Sequence, residues 1–281
     1  MWDKKELLLA AIIFTAGYYR VTGESTTLDM AKDAVDDRYD GCRKEAMEKF
    51  IYSGLLREEM KRNEDFEDAW EKITKCSKQI PGGVKEHSTV LSALGDEESH
   101  FINEFKKSVR KSGGNVSTYE KEFHFKSFHF LLMDSLMLLS SNNCTTVYYV
   151  TNEAYTAEKG SKVRFGTFIT SCLSKKSCLM NDLEGMFLFK IYSCYFVNLE
   201  ENSCSKDTAL LSPIEVFTVE DIRTKTDEIN DSVYTEIVLK HSGLDSNHNC
   251  YLFSRSPANV STKWRVSLCG ALSLFFFIFS S

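Results

Sequence analysis

Three sets of residues could carry chemistry in this chain. The first is the acidic pairs Asp36-Asp37, Glu97-Glu98 and Glu200-Glu201, because two fixed carboxylates can divide acid and base roles. Sequence neighbours point to different sides of an element, so all three pairs are expected to be solvated surface. The second is His124 and His129, which flank an aromatic stretch and are expected to be packed and hydrogen-bonded rather than catalytic. The third is the nine cysteines: Cys42, Cys76, Cys144, Cys172, Cys178, Cys194, Cys204, Cys250 and Cys269. None has C-x-x-C spacing and the six histidines do not cluster with them, which argues against a metal site. The phosphate-cradling G-x-x-x-x-G-K, the G-x-S-x-G elbow and the H-E-x-x-H pair are all missing from the sequence.

The elements that must position these residues fall into two textures. From about residue 26 to 110 the chain is rich in Glu, Lys, Ala, Met and Leu with apolar residues at helical intervals. Phe50, Leu55 and Leu56 lead into one face, and Phe66, Trp70 and Ile73 form another. Pro81-Gly82-Gly83 reads as a turn and residues 111–115 as a loop. Residues 128–139 are apolar almost all round, which predicts a buried helix. After Cys144 the segments 147–150, 164–170, 185–196, 214–219, 235–241 and 249–253 are short and β-branched or aromatic, hence predicted strands. Helices first and strands afterwards predict an α+β fold. Only Pro81, Pro213 and Pro257 occur, so no Pro-rich linker divides the chain and one domain is expected.

Composition and the chain ends bound the setting. A formal charge of −6 over 281 residues argues against a nucleic-acid partner, because phosphate neutralisation needs a basic surface. Residues 7–16 form a short apolar run behind Lys4 and Lys5, the layout of a secretory signal with cleavage after Gly17 or Gly23. Residues 266–279 are apolar and follow a polar stretch with small residues, the layout of a GPI-attachment signal. The alternatives are a tail-anchor helix or an apolar terminus tucked into the core. The expected organisation is a signal peptide over 1–23, a folded domain over 24–255 and an anchor signal over 256–281. Loss of that tail removes Cys269 and leaves an even cysteine set, which suits an oxidising compartment. Of the N-x-S/T sequons at Asn115, Asn143, Asn230 and Asn259, the first three are expected to carry glycans.

Five stretches, in order, resemble the vertebrate ecto-ADP-ribosyltransferases, arginine-specific enzymes that are often GPI-anchored. Leu28-Asp29-Met30-Ala31 with Val35-Asp36-Asp37 and Tyr39-Asp40-Gly41-Cys42 is similar to the first-helix signature of that family. Phe125 to Leu132 resembles its central helix, and Cys144-Thr145-Thr146-Val147-Tyr148 stands where the family has C-x-x-V-Y-R-G. Val163 to Phe168 resembles its R-F-G-Q-F strand, and Leu210 to Phe217 its L-I-P-P-F-E-V-F. The likeness runs from about residue 28 to 254. It implies an ADP-ribosyltransferase fold, with N-terminal helices packed on a two-sheet β core and NAD in the cleft. It also implies NAD as co-substrate without a metal, arginine-bearing surface proteins as targets, a monomer on the outer face of the plasma membrane, and disulfides Cys42–Cys250 and Cys144–Cys194. The partners of Cys76, Cys172, Cys178 and Cys204 stay open.

The same likeness points to a catalytic set from which this chain departs. The family's Arg is Tyr149 here, which can donate one hydrogen bond but brings no charge to an anionic group. The first Ser of its S-x-S triplet is Thr170, and the Gln of the cofactor strand is Thr167. The two glutamates of E-x-E are Lys206 and Thr208, with Asp207 between them. Strand alternation is expected to turn Asp207 away from the cleft. The implied function is therefore a lipid-anchored transferase relative with weak or no activity. The alternative is an active arginine ADP-ribosyltransferase or NAD glycohydrolase that uses a relocated carboxylate, Glu200 or Glu201.

Overall fold

A computed structural model describes residues 25–71, 78–95, 99–140, 143–178, 183–203, 205–227 and 231–253. The expected terminal signals over 1–23 and 256–281, Cys76, Cys204, Glu97, Glu98, Ile73 and Asn230 lie outside these segments. Seven helices precede the main sheet among the described residues. Helix α1 (Arg43–Ala46) continues as a π-helical turn (Met47–Tyr52) and is followed by α2 (Leu55–Lys61), α3 (Glu64–Glu71), α4 (Lys85–Ala93), α5 (His100–Lys111), α6 (Val116–Glu122) and α7 (Lys126–Leu139). The apolar composition of α7 has the predicted consequence: Phe128 and Phe130 to Met133 are all fully buried. Around it Phe66 stacks on Phe101 at 4.4 Å, and Phe105 meets Phe128 edge-on at 4.8 Å. Phe168, from the sheet side, stacks on Phe105 at 5.7 Å and joins the two layers.

The strands are β1 (Thr26–Thr27), β2 (Thr145–Thr151), β3 (Tyr155–Thr156), β4 (Lys162–Val163), β5 (Ile169–Cys172), β6 (Phe187–Ser193), β7 (Phe196–Asn198), β8 (Thr208–Leu211), β9 (Glu215–Thr226) and β10 (Val233–Leu244). Two one-turn helices interrupt them, α8 (Lys175–Cys178) and α9 (Leu199–Asn202). Strands β1 and β3 pair in parallel, and the other eight run in the order β4-β9-β10-β6-β2-β5-β8-β7. The expected two halves of the β core are visible in the ladder. Strands β2 and β6 share seven register pairs, whereas β2 meets β5 at the single pair Tyr148↔Cys172. A five-stranded half and a three-stranded half thus abut at one point.

Three predicted strands need correction. Segment 185–196 is not one strand, because β6 ends at Ser193 and Phe196 opens β7 at the far edge of the sheet. Segment 164–170 is not one strand: β4 ends at Val163 and β5 starts at Ile169. Gly166 between them has φ +63°, and a Cβ there would lie 2.4 Å from the Ala31 Cβ, so the chain turns against the N-terminal segment. Segment 249–253 is a turn, not a strand. Its amides are taken by Asp37, which accepts from Cys250 N at 2.7 Å and Tyr251 N at 2.9 Å.

That contact overturns the surface reading of Asp36-Asp37, whose relative exposures are 0% and 1%. Asp36 receives the fully buried Arg164 guanidinium at 2.7 Å and the His248 Nδ1–H at 2.8 Å. Arg164 also donates to the Met30 and Asp245 carbonyls at 2.8 and 2.7 Å. One buried ion pair therefore holds the N-terminal segment, the β4–β5 connection and the C-terminal turn together. His124 is likewise not packed but exposed. His129 is buried: its Nε2–H donates to the Val35 carbonyl, so Nδ1 accepts from the Tyr39 hydroxyl, both at 3.0 Å.

Three disulfides are present among the described residues: Cys42–Cys250, Cys144–Cys194 and Cys172–Cys178, the last a pairing the sequence left open. Cys42–Cys250 ties α1 to the C-terminal turn rather than to a strand. Closing separations of 208, 50 and 6 residues stabilises by about 5, 4 and 2 kcal/mol in the chain-entropy view.

Candidate functional site

Of the five residues singled out by sequence, Tyr149 lies on one half of the sheet, Thr170 and Thr208 on the other, and Thr167 and Lys206 in connecting segments. Tyr149 sits on β2, opposite Phe189 of β6. Its half-buried ring stacks on Phe189 at 5.8 Å and meets Phe165 edge-on at 6.1 Å, against the apolar cluster that also holds Val147 and Ile191. An aromatic ring is stable there, whereas a guanidinium would need an anionic partner. Across the junction it is Tyr148, not Tyr149, that stands level with Cys172.

Thr170 and Thr208 are brought together. Thr170 pairs with Leu210, and Cys172, two residues on, pairs with Thr208, so period-2 alternation puts both threonines on one face of β5–β8. Thr170 is 8% exposed and its hydroxyl has no hydrogen-bond partner among the described residues. A buried polar atom left open in this way is unusual, and it suits a ligand that brings a donor or acceptor. The Thr208 hydroxyl is already committed, donating to the Lys206 carbonyl at 2.8 Å. Lys206 itself is exposed at the rim. Thr167 is 1% exposed and donates to the Lys106 carbonyl at 3.2 Å, which turns it into the scaffold instead of toward a cofactor.

Carboxylates do occur near these positions, each with another duty. Asp207 is left-handed, with φ +53°, so it lies outside the strand alternation expected of it. Its carboxylate accepts from the Ser174 hydroxyl at 2.7 Å and from the Ser177 hydroxyl. These bonds hold its pKa below the ordinary carboxylate range. Glu200, exposed on α9, accepts the Asp207 amide at 3.3 Å, and Glu201 accepts from the Asn198 amide at 3.3 Å. The Asp207–Ser174–Ser177 cluster and the Cys172–Cys178 bridge beside it were not singled out by sequence. The six-residue cysteine spacing was the one signal available for them.

Other groups with shifted titration lie away from this face. Glu59, pushed up to about 7 by burial against its bonds from Ser127 and Lys126, borders a hollow of about 840 Å³ together with Arg62, His124 and Phe253. That hollow holds none of the five residues, and the convergent hydroxyls on β5–β8 are the better candidate site. No cluster of metal-binding side chains exists among the described residues. Of the expected glycan sites, Asn143 and Asn115 are both exposed, and Asn115 caps α6 by accepting from Thr118 N at 2.9 Å.

Comparison with known proteins converges on one family. A family model described as NAD:arginine ADP-ribosyltransferase matches residues 28–241. T-cell ecto-ADP-ribosyltransferase 1 of Mus musculus is 32% identical over 262 residues, covering 88% of this chain and 85% of the relative. Human ecto-ADP-ribosyltransferase 4 is 25% identical over 269 residues, covering 89% and 82%. Among solved structures, a glutamate-to-alanine mutant of the eukaryotic mono-ADP-ribosyltransferase ART2.2, in complex with NADH, superposes with a TM-score of 0.63 at 29% identity. That likeness covers 80% of this chain and 98% of the other. A glutamate-to-isoleucine mutant of the same enzyme, solved with NAD, matches equally well.

Proposed function

The chain belongs to the NAD:arginine ADP-ribosyltransferase family, and from that premise we propose that it is a GPI-anchored extracellular member that binds NAD at the Thr170–Thr208 face of β5–β8 but transfers ADP-ribose weakly or not at all. One observation carries the reading. At the two positions where the family resemblance puts glutamates stand an exposed lysine and a threonine whose hydroxyl is spent on Lys206.

Cleaving the nicotinamide–ribose bond builds positive charge on the sugar, and a fixed carboxylate stabilises it. Loss of one such preorganised group costs roughly 10²–10³ in rate. A lysine at the acceptor position repels a guanidinium instead of deprotonating it. The open Thr170 hydroxyl supports retained NAD binding, since it can hydrogen-bond a polar group of the co-substrate. Tyr149 supplies no charge for the phosphates, so that binding is weaker than an arginine would allow. No helix among the described residues is long and apolar enough to cross a membrane, and attachment rests on the C-terminal segment 256–281. Arginine-bearing surface proteins are the acceptor class if transfer occurs.

A second reading is favoured by one contact. Glu200 reaches the amide of Asp207, one residue before Thr208, so a small shift of α9 brings a carboxylate to the rim. NAD consumption by the purified protein, with and without agmatine, separates the readings. No turnover above blank, with NAD binding retained, is expected. Lys206→Glu with Thr208→Glu is expected to raise turnover by about tenfold or more. Turnover by the unmodified protein that disappears in Glu200→Gln would establish the second reading.

A further inference from the structure

We infer that the Cys172–Cys178 disulfide is the clamp that fixes the two halves of the sheet against each other and so sets how the Thr170–Thr208 face of β5–β8 stands against β2. The halves meet at the one register pair Tyr148↔Cys172, and a single pair is too little ladder to fix an angle between strands. The missing restraint is supplied at the same residue. Cys172 is bonded to Cys178, whose sulfur lies 3.1 Å from the Tyr148 carbonyl oxygen. Helix α8, which ends in Cys178, packs on both β2 and β5. Lys175 on that helix sits over the Tyr234 ring of β10 at 6.0 Å.

The segment between the cysteines is bound to the third strand of the junction as well. Leu173 N donates to the Asp207 carbonyl at 2.9 Å, and Ser174 and Ser177 hold the Asp207 carboxylate. Asp207 is thereby kept left-handed just before β8 begins at Thr208. A covalent tie, a short helix and one carboxylate thus replace a ladder across the junction that separates Tyr149 from Thr170 and Thr208. These are positioning residues, and none of them is expected to touch the ligand. Their consequence for binding rests on the NAD reading above, whereas their consequence for the junction does not.

Hydrogen exchange by mass spectrometry on the full chain, with NAD affinity measured alongside, tests both. In Cys172→Ser/Cys178→Ser, exchange in 147–151 and 169–178 is expected to accelerate by about tenfold or more, with α4, α5 and α7 unchanged. NAD affinity is expected to fall by about tenfold or more. In Asp207→Asn, which keeps the bridge, acceleration is expected at 173–177 and 207 alone. Unchanged exchange at the junction, acceleration spread through the helices, or loosened strands with unaltered NAD affinity would each overturn the clamp. So would Asp207→Asn loosening β2 as much as the double variant does. If the unmodified protein binds no NAD, the binding reading fails by itself, and the exchange pattern still decides the clamp.

Discussion

At the residue scale, burial sets the behaviour of several ionisable groups, and its sign differs from one to the next. Glu59 is 5% exposed, accepts from Lys126 N and Ser127 N at 2.9 Å each, and is still raised to about 7 because desolvation outweighs those bonds. Asp37 is raised to about 6 for the same reason. A carboxyl raised on folding contributes stability that is complete below its unfolded pKa and is lost as pH climbs through the folded value. Thermal stability should therefore drop between about pH 4.5 and 7, with Glu59 contributing up to about 3 kcal/mol. Glu59→Gln is expected to flatten that limb of a melting-temperature profile. A profile as steep as that of the unmodified protein would assign the slope elsewhere. His129 works in the opposite sense: burial lowers it to about 4, so its contribution is present above about pH 6.5 and fades as pH falls toward 4.

Among the elements, the close approaches of the N-terminal segment decide what the loops can carry. Gly113 follows α5, donates its amide to the Asp33 carbonyl at 2.7 Å, and leaves no room for a side chain: a Cβ would lie 2.0 Å from the Ala34 carbonyl oxygen. Backbone on both sides cannot yield as a flexible side chain would. Gly113→Ala is expected to cost about 3 kcal/mol, read as a shifted denaturant midpoint with an unchanged slope. The helix-then-strand order and the buried α7 were legible because hydrophobic periodicity reports them directly. Segment 249–253 was misread because its aromatic residues pack on the helical cluster from a turn. Composition cannot tell a turn held by a distant carboxylate from a strand.

For the whole molecule, the long-range links govern stability and the short one governs shape. Removing Cys42–Cys250 with a double alanine variant should destabilise by about 5 kcal/mol, because it frees a loop spanning nearly the whole domain. Removing Cys172–Cys178 should cost about 2 kcal/mol. Thermal melts of the two variants side by side are expected to show the first far below the second. Equal melting temperatures would mean that the buried Asp36–Arg164 pair, and not the bridge, closes the molecule. Breaking that pair at one partner is expected to cost about 3–5 kcal/mol, since it strands a desolvated charge.

What the sequence determined by itself was the order of elements, the family and the residue types at the positions the family resemblance assigns to catalysis. Motif order and residue type at Tyr149, Thr170, Lys206 and Thr208 are one-dimensional facts, and a lysine cannot act as a carboxylate in any fold. The tertiary structure alone decided which acids are buried, since Asp36 and Asp37 acquire Arg164, His248 and the 250–251 amides only across more than a hundred residues of chain. It decided that Thr167 is spent on a helix carbonyl while Thr170 stays open. It also placed Cys172 at the one point where the sheet halves meet. Each of these outcomes depends on partners that packing brings together, and sequence adjacency carries no record of them.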